Sequence, residues 1–530
     1  MPATPPQSHA SASLARAASR FTFSWLGVLV IVGIASVIAA ATMLPMALQH
    51  SGPLNANLGA AQDALGNAGE IMTAVLAIAI TVVAIVVELA ATRYSHRVTT
   101  LFLRARTNVA VLTLFAVTAL LCVWLAFGQG VYQLDSAVPT FTLLLLITLS
   151  LALLLPYFAF VLGFISPLNI IARLAQGGQR AIDQATRGTP TKGTREAAAL
   201  AIEDLQDVTR KAVEQNDRGV AMASASAVFA LLEHYRSQRS ALPSAWYALD
   251  SELTEDPDFV SMEADALKPI HDQGLWLELK VFRQVAASIG QSIPRLRDLA
   301  SLIAIHTRRA GCDHGAADPH FLNLCIKAFN SYLRVSINRN DPRTSYYLLN
   351  QYRMLATGLL EQGATAGTLT IAEHFRYYGQ LAFAQQQPFL LEVAAYDLTH
   401  LIETALAHEA QAPNGAATQV TDALLEVLLE LDLEMQEDTE QPSLLGVRRA
   451  QMQLATRLLA SGNQQRVNRI IRDLRAEPTA RLQRIAQGLR SEDRQEYWEL
   501  TERGIHFSYL DPKLHAQLEV LMTQLDAPPG

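Results

Sequence analysis

Cysteine is scarce in this chain, and so is charge over its first third. Three cysteines occur in 530 residues, and Cys122 lies in an apolar run, which excludes a disulfide framework and fits a reducing compartment. Residues 1–169 contain six Lys or Arg and four Asp or Glu. So few charges exclude a water-soluble fold for this part, because about a quarter of the residues in a soluble domain are charged.

The remaining 361 residues lack basic clusters. They hold 36 basic and 45 acidic residues, so this part of the chain is net acidic. Recognition of a nucleic-acid backbone requires clustered Lys and Arg. The composition therefore argues against nucleic acid as a partner.

Four long and mainly apolar runs fill the charge-poor part. They are residues 21–48, 71–91, 107–134 and 136–172. A helix needs about 20 apolar residues to cross a hydrocarbon core about 30 Å thick, and in lipid it satisfies its backbone polar groups internally. We therefore predict four transmembrane helices. The first run has 28 residues, whereas the apolar region of a signal peptide has about 7 to 15, so we expect an uncleaved span.

Arginine residues occur on alternate connections between the runs. The N-terminal tail has Arg16 and Arg20, the connection after the second run has Arg93, Arg97, Arg104 and Arg106, and the segment after the fourth run has Arg173, Arg180 and Arg187. Residues 49–69 and the turn around Asp135 contain no Lys or Arg. Short loops rich in Lys and Arg stay on the cytoplasmic side. We therefore predict a multi-pass protein of the cell inner membrane, embedded in the lipid bilayer, with both termini in the cytoplasm.

The predicted fold is mainly α: a four-helix transmembrane bundle followed by a helical cytosolic domain with a small β module. The predicted parts are a cytoplasmic tail (1–20), the four-span domain (21–172), a cytosolic helical segment (173–256), a small α/β module (257–295) and a domain of stacked helix pairs (296–530). The β module is predicted from partial apolar alternation over 275–282 and 288–293, with a turn at Gly290. Helical spacing from Phe321 to Tyr332 predicts helices again after it.

Three stretches of the sequence carry a resemblance to one known family. Residues 88–108 contain Tyr94-Ser-His-Arg97, which is similar to the Tyr-Ser-Pro-Arg segment between the second and third spans of a bacterial family of predicted membrane proteins with a domain of unknown function. Residues 259–293 form the second stretch. The third, residues 318–345, contains Ser336-Ile-Asn-Arg-Asn-Asp-Pro-Arg-Thr-Ser345 and is similar to the family's Ser-Pro-x-x-Asn-Asp-Pro-x-Thr-Ala element. His96 and Ile337 replace family prolines, and Ser345 replaces an alanine. The resemblance implies the four-span layout and no assigned activity.

Glu88, Arg93 and Arg97 are candidate functional residues at the membrane. Glu88 is the one ionisable side chain within a run, and an intramembrane carboxylate is a candidate for an ion or proton path. It lies five residues before Arg93, so a carboxylate that snorkels or pairs with arginine is the favoured interpretation. Arg93 and Arg97 fall where the anionic lipid headgroups lie. The cytoplasmic location of short arginine-rich loops is enough to explain their position. Specific recognition of lipid headgroups is the alternative.

Asn340 and Asp341 are the remaining candidates. They echo Asn216-Asp217, which lies 124 residues earlier and also separates two apolar helical stretches. Asp341 precedes Pro342, and aspartate before a first-turn proline is a strong N-cap pattern. Helix capping is therefore the favoured explanation of the echo, and a functional motif is the alternative.

One segment combines side chains of the types that bind metal ions. Its members are His306, Cys312, Asp313, His314, Asp318, His320 and Cys325. Their spacing fits no zinc-finger pattern, and Cys325 lies on the apolar face of a predicted helix. We therefore predict no metal and no cofactor for this chain.

These observations favour a non-enzymatic, multi-pass inner-membrane protein with an assembly, binding or regulatory role. We expect its large cytosolic domain to bind a cytosolic partner or to form a homo-oligomer. The alternative is an ion channel or transporter gated by that domain. A membrane-bound enzyme is the third interpretation.

Overall fold

The computed structural model describes residues 58–94, 97–132, 137–188, 192–248, 251–411, 415–432, 442–499 and 501–527. Within these ranges the secondary structure is almost entirely helical, and the β pairing is confined to an isolated antiparallel bridge between Glu496 and Ile505. The predicted mainly-α class is confirmed. The chain divides into two compact units, Met1–Gly178 and Gln179–Gly530.

Five helices are described in the first unit or begin in it. They are α1 (Leu58–Arg93), α2 (Arg97–Leu103), α3 (Arg106–Tyr132), α4 (Ala137–Ile165) and α5 (Pro167–Arg187), the last of which contains the unit boundary. In the described residues, three helical segments are long and apolar enough to cross a membrane: Gly66–Arg93, Arg106–Trp124 and Leu145–Ile165. They coincide with the second, third and fourth predicted spans. The first predicted span, residues 21–48, lies outside the described residues.

The three apolar helices expose hydrocarbon and pair their polar groups inside. Leu89 and Leu155 are 66% and 79% exposed, as suits side chains that face lipid. Between α3 and α4, the hydroxyls of Thr118 and Ser150 lie 3.2 Å apart and form a buried hydrogen bond. Buried interhelical hydrogen bonds of this kind hold membrane helices in register.

A second polar pair and a small residue bring the same helices together. The Tyr157 hydroxyl of α4 donates to Asn108 Oδ1 of α3 at 2.6 Å. Gly69 of α1 lies so close to α3 that a Cβ on it would be 3.2 Å from Cys122 Cβ. Small residues at such contacts allow close helix approach in membranes.

One end of this unit is defined by an aromatic cluster. Val87 near the end of α1, Phe102 of α2 and Phe164 at the end of α4 belong to one buried cluster. The rings of Phe102 and Phe164 meet edge to face with centroids 5.3 Å apart. The guanidinium of Arg173, in α5, lies 3.6 Å from the centroid of Phe164. The C-terminal end of α4 therefore lies at the same end of the unit as the arginine-rich connection.

The second unit continues with helices that are 5 to 23 residues long. They are α6 (Lys192–Glu214), α7 (Arg218–Gln238), α8 (Ser251–Glu255), α9 (Ala264–Gln273), α10 (Trp276–Ser292), α11 (Arg297–His314), α12 (Pro319–Asn338), α13 (Pro342–Glu361), α14 (Thr365–Ala384), α15 (Phe389–Gln411), α16 (Gly415–Leu429), α17 (Pro442–Ala460), α18 (Gln464–Leu474), α19 (Thr479–Ser491) and α20 (His515–Asp526).

The same tight turn joins several consecutive helices of this unit. Two residues after the end of the first helix comes a residue with left-handed backbone, which is Asn216, Asn340, Gly363, Gln386 or Gly462. The N–H of the next residue then donates to the carbonyl five residues back, as from Asp341 to Ser336 at 3.1 Å. This is the Schellman geometry, which satisfies carbonyls left free at a helix end. It lets each helix reverse direction and pack on the one before it.

The predicted β module at residues 257–295 is wrong, because the structure places α9 and α10 there. Helix α10 contacts α6, α7, α11 and α12, so it is enclosed on most sides and buries Trp276, Val281 and Ile289 as well as polar side chains. A helix buried around its circumference lacks a polar face, and short windows of it resemble a strand. Gly290 lies inside α10 and makes no turn.

Candidate functional site

A non-helical segment between α19 and α20 crosses the surface of the second unit. We call residues 501–511 the strap. Gly504 has positive φ, where glycine avoids the steric cost of a side chain, and the chain reverses there so that the N–H of Tyr497 donates to the Gly504 carbonyl. Asp511 accepts a hydrogen bond from the Lys513 N–H at 3.0 Å and begins the return to helix. The strap is thus a turn with defined ends.

Aromatic and amide contacts hold the strap on α15 and α17. The ring of Phe507 stacks on Tyr396 with centroids 4.1 Å apart, and the Tyr396 hydroxyl donates to the Phe507 carbonyl. The buried Gln453 amide donates to the carbonyls of Phe507 and Tyr509 at 3.0 and 2.8 Å. These bonds satisfy strap carbonyls that no helix or sheet would satisfy.

A buried ion cluster anchors the strap at a second place. Asp397 of α15 is 1% exposed and pairs with both Nη atoms of Arg503, with Nη2 to Oδ2 at 3.0 Å. Arg353 of α13 approaches the same carboxylate, with Nε 3.4 Å from Oδ1. The Arg503 guanidinium also lies 4.6 Å from the ring centroid of Tyr346. Fork-to-carboxylate pairing fixes the orientation of the guanidinium plane as well as its position.

A cavity of about 380 Å³ lies between the strap and helices α13, α15 and α17. Its lining includes charged, imidazole, amide and hydroxyl side chains: Arg353, Asp397, Thr399, His400, Glu403, Gln453, Arg457, Gln495, Arg503, His506 and Asp511. Small-ligand pockets typically measure about 300–1,000 Å³ and carry a few convergent polar groups. This cavity has both properties.

Burial and neighbouring charge set the ionisation of the cavity. Burial lowers the pKa of His400, and the nearby cations Arg353, Arg503 and Arg457 lower it further against the opposing effect of Asp397. Its imidazole is therefore neutral at pH 7 and offers one N–H donor and one acceptor. Arg457 pairs with Glu403. The cavity thus presents a neutral imidazole beside charged side chains that contact one another.

The membrane candidates from the sequence lie at the helix ends of the first unit. Glu88 is exposed on α1, and Arg93 is the last residue of α1, with its guanidinium 5.3 Å from the ring centroid of Tyr94. Arg97 is exposed and begins α2. The exposed position of Glu88 near the arginine-rich end is compatible with either sequence interpretation.

Asn340 and Asp341 form a helix-capping turn. Asn340 has φ of 52°, and Asp341 Oδ1 accepts the Thr344 N–H at 3.2 Å. Asp217 accepts the Val220 N–H at 3.2 Å in the same way, after Asn216 with φ of 57°. The echo between the two sequences is thus a repeated turn, with a side-chain oxygen that satisfies a free N–H of the next helix. Asp341 also binds Arg297, with Nε 3.0 Å from Oδ2.

The His and Cys residues of the segment 306–325 make separate contacts. His306 stacks on Phe229 with ring centroids 5.0 Å apart, and His314 Nε2 lies 3.0 Å from Glu233 Oε2. Asp318 caps α12 and accepts a hydrogen bond from Arg236 at 3.0 Å. Cys325 is buried and free. His306, His314 and Asp318 are thus each engaged by a different neighbour, and Cys325 lies in the core.

A cluster of carboxylates that the sequence did not indicate lies elsewhere in this unit. Oxygens of Glu203, Asp256 and Asp258 lie within 4.8 Å of one another. Lys280 of α10, 0% exposed, places its Nζ 2.6, 2.7 and 2.8 Å from these three carboxylates in turn. The ammonium holds the position that a metal ion would take, so the cluster is already neutralised in part by the chain itself. The feature of the sequence that could have indicated this cluster is Lys280, a lysine within an otherwise largely apolar helix.

Sequence reasoning also missed the strap cavity. Asp397 and Arg503 are 106 residues apart, and nothing in the sequence pairs them. The available signal was Asp397 itself, a carboxylate in the middle of an apolar helix, which is rarely buried unless it is paired.

Comparison with known proteins adds to this description for the N-terminal part. No curated protein and no solved structure matches the chain. Residues 20–234 match the family model described as predicted membrane protein (DUF2254). The resemblance to a predicted membrane-protein family of unknown function is therefore confirmed over residues 20–234.

Proposed function

We propose that this chain is a multi-pass inner-membrane protein that anchors a cytoplasmic helical domain, and that the domain binds a ligand and has no catalytic role. The observation that carries the proposal is the polar cavity beneath the strap. It lies in the unit Gln179–Gly530, and none of the candidate spans in the described residues falls in this unit. Its charged side chains form ion pairs with one another, as Arg503 does with Asp397 and Arg457 with Glu403. This pairing supports a binding role rather than a catalytic one.

The end of α4 supports a cytoplasmic location for this domain. Phe164 packs with Val87 and Phe102, beside the connection that carries Arg93 and Arg97. Arginine-rich short loops stay in the cytoplasm. A chain that leaves the membrane after α4 therefore continues on the cytoplasmic side.

The outer surface of the first unit favours an anchor over a channel. Its exposed side chains along α1, α3 and α4 are mainly aliphatic, such as Ile78, Leu120 and Leu155. The polar groups of Asn108 and Tyr157 face one another inside the unit. A water-filled path would need polar side chains that remain open to water.

Two measurements test the proposal. Protease added to intact spheroplasts should spare residues 179–530, and protease added to inverted membrane vesicles should digest them; the opposite result would contradict the cytoplasmic location. Potassium flux through liposomes with the reconstituted protein should be absent. Flux that is present and falls on Glu88→Gln, but not on the control Glu70→Gln in the same helix, would establish the channel alternative.

A further inference from the structure

An open cleft of about 700 Å³ lies beside the strap. We call it the aromatic cleft, because six of its lining side chains carry aromatic rings: Tyr346, Phe389, Tyr497, Trp498, His506 and Phe507. Phe389 and Trp498 do not line the strap cavity, so the two sites differ although they share residues of the strap. The volume of the cleft falls in the range of about 300–1,000 Å³ that small-ligand pockets occupy.

Large apolar side chains that remain exposed to water are concentrated in this cleft. Among the described residues of the second unit, seven such side chains are exposed: Val260, Met354, Tyr377, Phe389, Trp498, Ile505 and Val520. Phe389, Trp498 and Ile505 line the aromatic cleft and are 48%, 63% and 56% exposed. Clustered exposed apolar side chains mark binding sites, whereas single ones need no explanation. A ligand can therefore reach these three side chains directly.

Stacking holds the exposed rings of the cleft in place. Tyr497 stacks on Trp498 with ring centroids 4.3 Å apart, and its centroid lies 5.7 Å from that of His506. Phe389 stacks on Tyr346 with centroids 5.9 Å apart. Trp498 remains mostly exposed in this stack, so the part of its ring that Tyr497 leaves uncovered is open to water. Side chains that are already ordered lose little conformational entropy when a ligand binds.

The charges of the lining balance one another. Arg343 and Arg449 are matched in number by Glu499 and Glu502. An anion or a cation in the cleft would therefore meet side chains of like charge as well as of opposite charge. Aromatic rings attract other planar rings through offset or edge-to-face contacts without any net charge. The composition of the lining thus favours an uncharged aromatic ligand over an ion.

We infer that the aromatic cleft binds a small, uncharged molecule with a planar aromatic ring system, and that this ring stacks on the open part of Trp498. Among the described lining residues the aliphatic ones are Pro342 and Ile505, so a purely aliphatic ligand would find few partners of its own kind. The hydroxyls of Thr501 and Ser508 belong to the same lining and can bond to heteroatoms at the ring edge. This inference goes beyond the proposed function, which rests on the strap cavity.

The test measures binding to the full-length protein in detergent by equilibrium dialysis, with protein-free micelles subtracted. Adenosine and riboflavin are the probes, because each carries an uncharged planar ring system. Choline is the cationic reference and cyclohexanol the aliphatic one. We expect saturable binding of at least one probe, tighter than that of either reference. Absence of saturable binding by both probes, or tighter binding of a reference, would overturn the inference.

Trp498→Leu decides whether the probe binds in this cleft. Leucine keeps an apolar side chain at an exposed position and removes the planar ring, so the variant should fold and bind the active probe about tenfold more weakly, as loss of one stacked ring typically does. Tyr377→Leu is the matched control, because it removes an exposed ring of α14 that lies outside the cleft. Equal binding by wild type and Trp498→Leu would refute the assignment.

Tryptophan fluorescence provides a second readout. Trp498 is exposed, whereas Trp246 and Trp276 are buried, so the bound probe should quench a part of the emission that Trp498→Leu lacks. Quenching of the same size in the variant would contradict stacking on Trp498. Failure of both probes in a protein whose second unit is cytoplasmic would overturn this inference alone, since the proposed function depends on a different site and on the protease experiment.

Discussion

Replacement of His306 by phenylalanine should flatten the pH dependence of stability between pH 8 and pH 5. Burial lowers the pKa of His306 from 6.5 to about 4, with a smaller contribution from the positive charge of Arg309. Below pH 6.5 His306 binds a proton in the unfolded chain, whereas in the folded protein it stays neutral until the pH approaches 4. The stability that neutral His306 contributes is therefore fully present above pH 6.5 and is lost as the pH falls toward 4.

The magnitude follows from the two pKa values. One pKa unit corresponds to about 1.4 kcal/mol, so the full loss is about 3 kcal/mol, of which about 2 kcal/mol has been lost at pH 5. Phenylalanine keeps the ring stacked on Phe229 but does not titrate. The fall in unfolding free energy between pH 8 and pH 5 should thus be about 2 kcal/mol smaller in His306→Phe than in wild type.

Denaturant unfolding of the full-length protein in detergent, followed by tryptophan fluorescence, provides the measurement. Trp246 and Trp276 are both buried in the second unit and report its unfolding. The control Phe229→Leu removes the stacking partner but retains the imidazole, so it should lower stability at both pH values and keep the pH dependence. Equal pH dependence in wild type and His306→Phe would refute the reasoning.

Four further substitutions have defined outcomes. Lys280→Met should lower the unfolding free energy by about 3–5 kcal/mol, because it leaves buried carboxylates without their cation, and denaturant unfolding measures this. Asp341→Ala should cost about 1–2 kcal/mol through loss of the cap, whereas Asn340→Gly should stabilise by up to about 1 kcal/mol at its positive φ, both by the same assay. Thr118→Val should destabilise the helix bundle by about 0.6 kcal/mol through loss of the hydrogen bond to Ser150, as measured by unfolding in mixed micelles.

Two of these substitutions have a matched variant in the same chain, and the other two have an outcome that would contradict them. Lys268→Met, on α9, is the control for Lys280→Met, and equal destabilisation by both would contradict the role of the carboxylate cluster. Asp217→Ala occupies the equivalent turn and should act like Asp341→Ala. Destabilisation by Asn340→Gly would show that its side chain matters more than backbone strain. An unchanged midpoint in Thr118→Val would mean that the hydroxyl pair contributes nothing to stability.

The three candidate membrane spans among the described residues were predictable from the sequence, because a lipid environment imposes a local pattern. Lipid requires about 20 consecutive apolar residues, and this requirement can be read without knowledge of any tertiary contact. The Asn340-Asp341 turn was predictable for a similar reason. Asp is a preferred cap, and proline at the first helical position needs no N–H partner, so three adjacent residues contain the information.

The helical structure of α10 could not be predicted from its own residues, because its burial depends on the neighbouring helices. Its residues are apolar on several faces because α6, α7, α11 and α12 surround it, and no local window of sequence reveals four neighbours. The β module was predicted there because the apolar residues of a helix buried on several sides were taken for the alternating pattern of a strand. Local pattern distinguishes helix from strand only where one face meets water.

The candidate site was decided by the tertiary structure alone. Asp397 and Arg503 come together from positions 106 residues apart, and Lys280 meets carboxylates contributed by α6 and by residues 256–258. What the sequence determined was which segments leave water and where tight turns occur, since each is a property of neighbouring residues. Which charges meet, and where they enclose a cavity, depends on contacts between distant segments and emerges only when the helices pack.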